Sequence, residues 1–246
     1  MTGRLDRVLG ACLLLPRKDA QIAVRAGRVS VEGVPCRDPG AKVDNAAQAV
    51  TLDGMPVLGD GMFYLLLYKP TDVLSATEDT HGATTALDLL PDRWKKADLG
   101  VCGRLDRDAE GLLLLTNDGA LNHRLTAPKS HLDKKYLVKL DAPADETDVL
   151  AFTVGLELSD FTALPAGLEI LPDCAALVTL HEGKFHQIKR MFAARGKTVL
   201  ALKRISIGPL LLDPSLKPGE WRPLTPDEKT DLQRASDRML KNSYLL

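Results

Sequence analysis

The sequence predicts an α+β chain of two units. Two helices and a short β hairpin fill residues 1–60, and strands alternate with helices over 61–246. Three observations lead there. Leu5, Val8, Leu9 and Cys12 recur at helical spacing ahead of a segment that alternates polar and apolar residues. The apolar runs 65–68 and 112–115 are too short for ordinary helices and have the length of buried strands. A turn-rich linker, 54–61, separates the two patterns.

Taken in order, the first helix turns Leu5, Val8, Leu9 and Cys12 inward and Arg4 and Arg7 outward. Pro16 opens a second helix, Arg17 to about Ala26, because proline suits a first helical turn, and Gly27 stops it. Residues 28–35 alternate and turn at Gly33. After the linker, a strand over 63–68 stops at Lys69-Pro70, and the leucine strand 112–115 ends in Thr116-Asn117-Asp118-Gly119. Asp118-Gly119 caps a helix through His123 and Leu125, ended by Pro128. Tyr136, Val138 and Leu140 share one strand face. Residues 145–152 read as helical, 168–171 as extended, and 175–181 as a strand turning at Glu182-Gly183. From His186 a helix sets Ile188, Met191 and Phe192 on one face and His186, Lys189 and Arg190 on the other, closed by Gly196. Thr225-Pro226-Asp227-Glu228 is a capping box that opens a C-terminal helix past Leu232.

Composition narrows the function classes. No apolar run approaches the twenty residues of a membrane span, and no signal-peptide pattern follows Met1. A cytoplasmic location is therefore expected, with no membrane partner. Cys12, Cys36, Cys102 and Cys174 lie far apart, without Cys-x-x-Cys or a His at ligand spacing, and read as reduced thiols. The net charge of −1 argues nothing for nucleic acid. Its distribution does: Arg4, Arg7, Arg17, Lys18, Arg25, Arg28, Arg37 and Lys42 outnumber the acids of residues 1–42, and further cations cluster at 129–135 and 184–190. A solvated helix face explains any one of these clusters equally well.

The most informative stretch is Gly103-Arg104-Leu105-Asp106-Arg107-Asp108-Ala109-Glu110-Gly111 with its leucine strand and Asp118-Gly119 turn. A carboxylate in a polar loop fastened to a buried strand is held rigid at the floor of a cleft. An Asp between two arginines is more often a plain ion pair. The stretch nevertheless resembles the active-site signature of the RsuA class of pseudouridine synthases, which implies that Asp106 is the catalytic nucleophile. That class commonly has Thr or Ser at Ala109, and Asn-Lys-Pro-x-Gly where this chain has Tyr68, Lys69, Pro70 and Asp72. Residues 3–52, with Arg-Leu-Asp, Pro-Arg-x-x-Ala and Ala-Gly-Arg-Val-x-Val-x-Gly, resemble an S4 RNA-binding domain. This implies that Arg17 and Arg28 face RNA, with Arg4 and Lys18 beside them.

Two further segments complete the resemblance. Lys134-Lys135-Tyr136 is similar to the family's Lys-x-Tyr, which places Tyr136 against the target base and implicates it in proton transfer; without that match, Tyr136 is an ordinary half-buried strand residue. Gly183-Lys184-Phe185-His186-Gln187-Ile188-Lys189-Arg190-Met191-Phe192 is similar to the family's third motif. This implies that Lys189 is the cation paired with Asp106, while His186, Arg190 and Arg104 touch RNA. The resemblance also implies a mixed, mainly antiparallel sheet flanked by helices in the larger unit.

Isomerising uridine breaks N1–C1′ and rejoins the base through C5, which suits a carboxylate beside C1′. No electrons are transferred and no group is gained, so neither cofactor nor metal is expected. The order of motifs, with Pro218-Gly219-Glu220-Trp221-Arg222-Pro223, most resembles the branch acting on 16S ribosomal RNA of the small subunit. The expected partner is that RNA or an assembling subunit, met by a monomer. The alternatives are 23S ribosomal RNA as substrate, a non-catalytic S4-type assembly factor, and a glycosidase-like hydrolase using Asp108 or Glu110 as its second acid.

Overall fold

The computed structural model describes residues 1–127 and 132–243. Two compact units emerge: Met1–Phe63 with Pro91–Leu99, and Tyr64–Leu90 with Gly100–Leu246. Pro91–Leu99 groups with the first unit, where the expected division ran at residue 60. The Trp94 and Phe63 rings pack edge to face with centroids 5.3 Å apart, which ties that segment to the end of the first unit.

In the first unit β1 (Thr2–Arg4) leads into α1 (Leu5–Leu13), which Leu14 ends in a left-handed conformation, and α2 (Arg17–Arg25) follows. β2 (Val29–Val31) and β3 (Val34–Pro35) form the expected hairpin, turning through left-handed Glu32 and Gly33. β4 (Lys42–Asp44) pairs with β1, while β5 (Val50–Leu52) and β6 (Met55–Pro56) extend the β2–β3 hairpin. The helices bury Leu5, Val8, Leu9, Ala20, Ala23 and Val24 against Val29, Val43, Val50 and Val57. Two expectations need correction. Met55–Pro56 is a strand rather than linker, because Asp53 and Gly54 both adopt positive φ (52° and 79°) and reverse the chain in two residues. Arg4 precedes α1 instead of lying on its outer face.

The cations expected to meet RNA are partly engaged within the first unit. Asp6 is fully buried and accepts from Arg4 Nε and Nη2, both at 3.1 Å, and from Gln21 Nε2 at 2.9 Å. Arg17 Nε stands 3.5 Å away. Arg28 pairs with Asp53, and Lys18 is exposed. The Arg4 hydrogen bond holds the Asp6 carboxyl well below the usual carboxylate range, against the opposing effect of burial and with help from Gln21 and Arg17. A carboxyl lowered by folding stabilises above its unfolded value, about 3.9, and that contribution is lost as pH falls toward the folded value. Protection against amide exchange in the first unit, taken relative to the intrinsic rate at each pH, should therefore fall on acidification in the wild type, and Asp6→Asn should remove most of that acid dependence. Identical acid profiles would refute the assignment.

The second unit opens with β7 (Tyr64–Lys69), then β8 (Gly100–Cys102), β9 (Glu110–Thr116), α3 (Gly119–Thr126) and β10 (Lys134–Leu140). There follow α4 (Glu146–Val154), the small hairpin β11 (Leu156–Glu157) and β12 (Thr162–Ala163), β13 (Gly167–Leu171), β14 (Ala175–Leu180) and α5 (Gln187–Ala194). β15 (Val199–Ile207), β16 (Leu210–Leu211), β17 (Trp221–Pro223) and α6 (Pro226–Ser243) complete it. The sheet runs β13-β14-β10-β15-β9-β7-β17, with β16 on β15 and β8 on β9. Among the described residues its strands pair antiparallel except at one place, where β15 runs parallel to β9 through Lys203–Glu110 and Arg204–Gly111. The fold is thus the expected mainly antiparallel sheet flanked by helices.

Period-two alternation explains how the sheet is covered. Leu112 and Leu114 enter a core with Leu121 and Leu125 of α3 and Leu232 of α6, while Leu113 and Leu115 are buried on the other face. Tyr136, Val138 and Leu140 join Phe152 of α4 and Ile188, Met191 and Phe192 of α5. The caps are those expected: Asp118 accepts from Leu121 N at 2.9 Å, and Thr225 and Glu228 bond reciprocally. The ending read for α3 at Pro128 and the cation Lys129 lie outside the described residues.

Candidate active site

Asp106 lies in the loop that carries β8 into β9, and the loop is fastened from four sides. The Ser75 hydroxyl accepts from Leu105 N at 2.9 Å and donates to Leu105 O at 2.8 Å. Lys69 is fully buried, and its ammonium donates to Pro70 O at 2.8 Å, Ala109 O at 2.8 Å and Arg107 O at 3.3 Å. Arg204, also buried, donates from Nε to Leu112 O at 2.8 Å and from Nη1 to Arg104 O at 3.2 Å. Asp72 N donates to Arg107 O at 2.8 Å. Ala109 is completely buried beside Leu105, so the loop draws its polar fastening from these other residues.

Burial pushes the Lys69 ammonium down to about 8. Replacing it in Lys69→Met should cost about 2–4 kcal/mol, because the loss of its donors outweighs the relief of a desolvated charge. Denaturant unfolding measures this, and a variant as stable as wild type would refute the fastening role. Asp72 stands where the family commonly has glycine and takes up a left-handed conformation, φ 62°. Aspartate is among the few residues that tolerate that conformation.

The carboxylate itself is a quarter exposed. It faces a cleft of about 1010 Å³ lined by Arg104, Lys134, Tyr136, Phe185, His186 and Arg204, among others. Its Oδ2 is 3.6 Å from Lys189 Nζ, and its Oδ1 is 3.8 Å from His186 Nε2. Burial, with Arg204 nearby, pushes the Lys134 ammonium down to about 8. Cations therefore surround an acid that is neither stranded in the core nor open to bulk water.

Of the predicted site residues, Asp106, Tyr136, Arg104 and His186 meet at this cleft. Lys189 stands within ion-pair distance of Asp106, as expected, and in addition donates a hydrogen bond to Asp108 Oδ1 at 2.5 Å. That bond holds the Asp108 carboxyl below its ordinary value. Arg190 does not line the cleft. It donates to Asp160 and Ser159, and its guanidinium lies 4.7 Å from the centre of the Phe161 ring. The β11–β12 hairpin presents that acid and aromatic to the outer side of α5, a proximity that sequence spacing did not reveal.

Sequence reasoning missed Lys69, Ser75 and Arg204. Two of them left a signal. Lys69 ends an otherwise apolar strand, and Arg204 shares a strand parity with Leu202 and Ser206, all three buried. A long polar side chain at such a position is buried with partners.

The family model for RNA pseudouridylate synthase matches residues 63–194, a span that contains the Asp106 loop, Tyr136 and Lys189. The chain belongs to this family. Ribosomal small subunit pseudouridine synthase A of Pseudomonas aeruginosa is 43% identical over 228 residues, covering 92% of this chain and 98% of the relative. The Escherichia coli protein of the same name is 38% identical over 229 residues, with 92% and 97% covered. A crystal structure of a pseudouridylate synthase superposes with TM-score 0.66 at 35% identity, covering 94% of this chain and 99% of its own.

For a pseudouridine synthase the geometry has a direct chemical meaning. A group that must hold its position against a reacting atom needs a loop that does not recoil, and the bonds to Ser75, Lys69 and Arg204 supply that stiffness to the Asp106 loop. Tyr136, mostly buried, lines the same cleft from the sheet.

Proposed function

We propose that this synthase converts a uridine of 16S ribosomal RNA to pseudouridine in the cytoplasm, acting as a monomer on the RNA or on an assembling small subunit. The observation that carries the reading is Asp106, held on a fastened loop at the floor of a cleft with Tyr136 and flanked by Lys189 and His186. The names of the relatives supply the ribosomal RNA and the subunit.

In this reading Asp106 attacks C1′ as N1–C1′ breaks, and uracil leaves as an anion. The base turns, C5 bonds to C1′, and the carboxylate departs with the electron pair it brought. The proton on C5 is then removed, N1 gains a proton, and the product is an isomer of the substrate. Lys189 stands beside Asp106 as its countercharge, Tyr136 stacks on the base and assists the proton transfer, and Arg104 and His186 grip the backbone. Residues 3–52 act as an S4-type RNA-binding module through Arg4, Arg17, Lys18 and Arg28. Their basic surface and order of motifs support this.

Nucleotide-resolution pseudouridine mapping of both ribosomal RNAs, in cells with and without the protein, tests the proposal. Loss of one 16S site is the expected outcome. A lost 23S site would move the substrate to the large subunit, and unchanged maps would leave an RNA-binding assembly factor.

A further inference from the structure

We propose that Phe185, stacked on His186, forms a platform at the cleft mouth on which an unpaired RNA base beside the target uridine stacks. Phe185 is 74% exposed although it lines the cleft. Its ring lies 3.8 Å from the His186 imidazole, centroid to centroid, at an interplanar angle of 19°. The imidazole in turn places Nε2 at 3.8 Å from Asp106 Oδ1. A continuous line therefore runs from the reacting carboxylate through one ring to a second ring.

The turn that presents the pair is built to hold it. Glu182 Oε1 accepts from Leu164 N at 2.9 Å and from Gln187 Nε2 at 2.7 Å, and Gln187 Oε1 accepts from Lys184 N at 3.0 Å. His186 itself is left-handed, φ 50°, a conformation that histidine adopts more readily than most residues. The hydrogen bonds of Glu182 and Gln187 thus fix a turn that keeps a phenylalanine in solvent, where it buries little apolar area of its own. Lys184 and Arg104 line the same cleft and match a polyanion. A planar, partly apolar partner carrying phosphates, small enough to lie beside an extruded nucleotide, is an unstacked nucleobase. This rests on the reading of the cleft as an RNA site, and it adds a subsite for a second base.

Binding of full-length protein to a 16S ribosomal RNA transcript at fixed salt is the test. Phe185→Ala should weaken binding roughly 5- to 150-fold, the loss associated with one base stacked on an aromatic ring. Phe185→Trp should bind at least as tightly as wild type, and the introduced indole should be quenched when RNA is added, beyond any change from Trp94 and Trp221. Phe185→Leu keeps apolar bulk without an aromatic face and should stay with the Ala variant. The same order in an Asp106→Asn background supports the platform independently of isomerisation. Binding by Phe185→Leu equal to wild type, or no loss in Phe185→Ala, overturns it.

Discussion

Asp106→Asn should abolish pseudouridine formation, with a fall of at least about 10⁴-fold in the single-turnover rate, while the melting temperature stays near that of wild type. Both halves of the expectation follow from the site. The amide keeps the size and polarity of the side chain but is neither a nucleophile nor an anion able to steady a positive C1′. The loop does not depend on that carboxylate for its shape, because Ser75, Lys69 and Arg204 hold its backbone. Lys189 keeps its hydrogen bond to Asp108 in the variant. Asp108→Asn is the informative partner substitution. It frees Lys189 to move toward Asp106 and should leave the rate within about tenfold of wild type, since Asp108 is mostly exposed. Single-turnover formation of pseudouridine and circular-dichroism melting measure the pair. Equal rates for wild type and Asp106→Asn would end the nucleophile assignment.

The second large effect is structural. Gly111→Ala should cost more than about 4 kcal/mol and leave little folded protein. A Cβ at Gly111 would lie 2.3 Å from Arg204 O and 2.7 Å from Arg204 N, both backbone atoms, and φ is 114°. A side chain could be turned aside, but here the neighbour is a strand. Relief requires β9 and β15 to part at the place where Arg204 also reaches Leu112 O and Arg104 O. Gly119→Ala is the control. Its Cβ would meet nothing within 4 Å at the start of α3, so it should be neutral or stabilise by up to about 1 kcal/mol. Soluble yield and chemical denaturation of the two variants check the contrast, and a Gly111→Ala protein as stable as wild type would sink the argument.

How much was readable in advance depended on the range over which each feature is set. The leucine strand, the Asp118 cap, the Thr225–Glu228 box and the apolar stripe of α5 are local, and pattern alone identified them. The acid loop was legible through its motif. Its fastening was not: Ser75 lies thirty residues from Leu105, and Arg204 a hundred from Arg104. Hydrogen bonds at that separation leave no periodic trace. The division of Lys189 between two acids was hidden for a subtler reason. Asp106 and Asp108 both belong to the motif, and only the path of the loop decides which one comes within hydrogen-bonding reach. Asp72 fits its turn once its backbone is known, because it is left-handed and aspartate tolerates that conformation.

The parallel junction between β9 and β15 has a consequence for how this enzyme loses activity. Strands β7, β8, β9 and β17 with the acid loop form one half of the sheet, and β10, β13, β14 and β15 with Tyr136 form the other; their backbones meet through two residue pairs. Asp106 and Tyr136 thus sit on opposite banks of a junction that is two residue pairs wide. Opening that junction separates the chemistry while each bank keeps its own ladder, so mild warming or denaturant should silence the enzyme before most of its secondary structure melts.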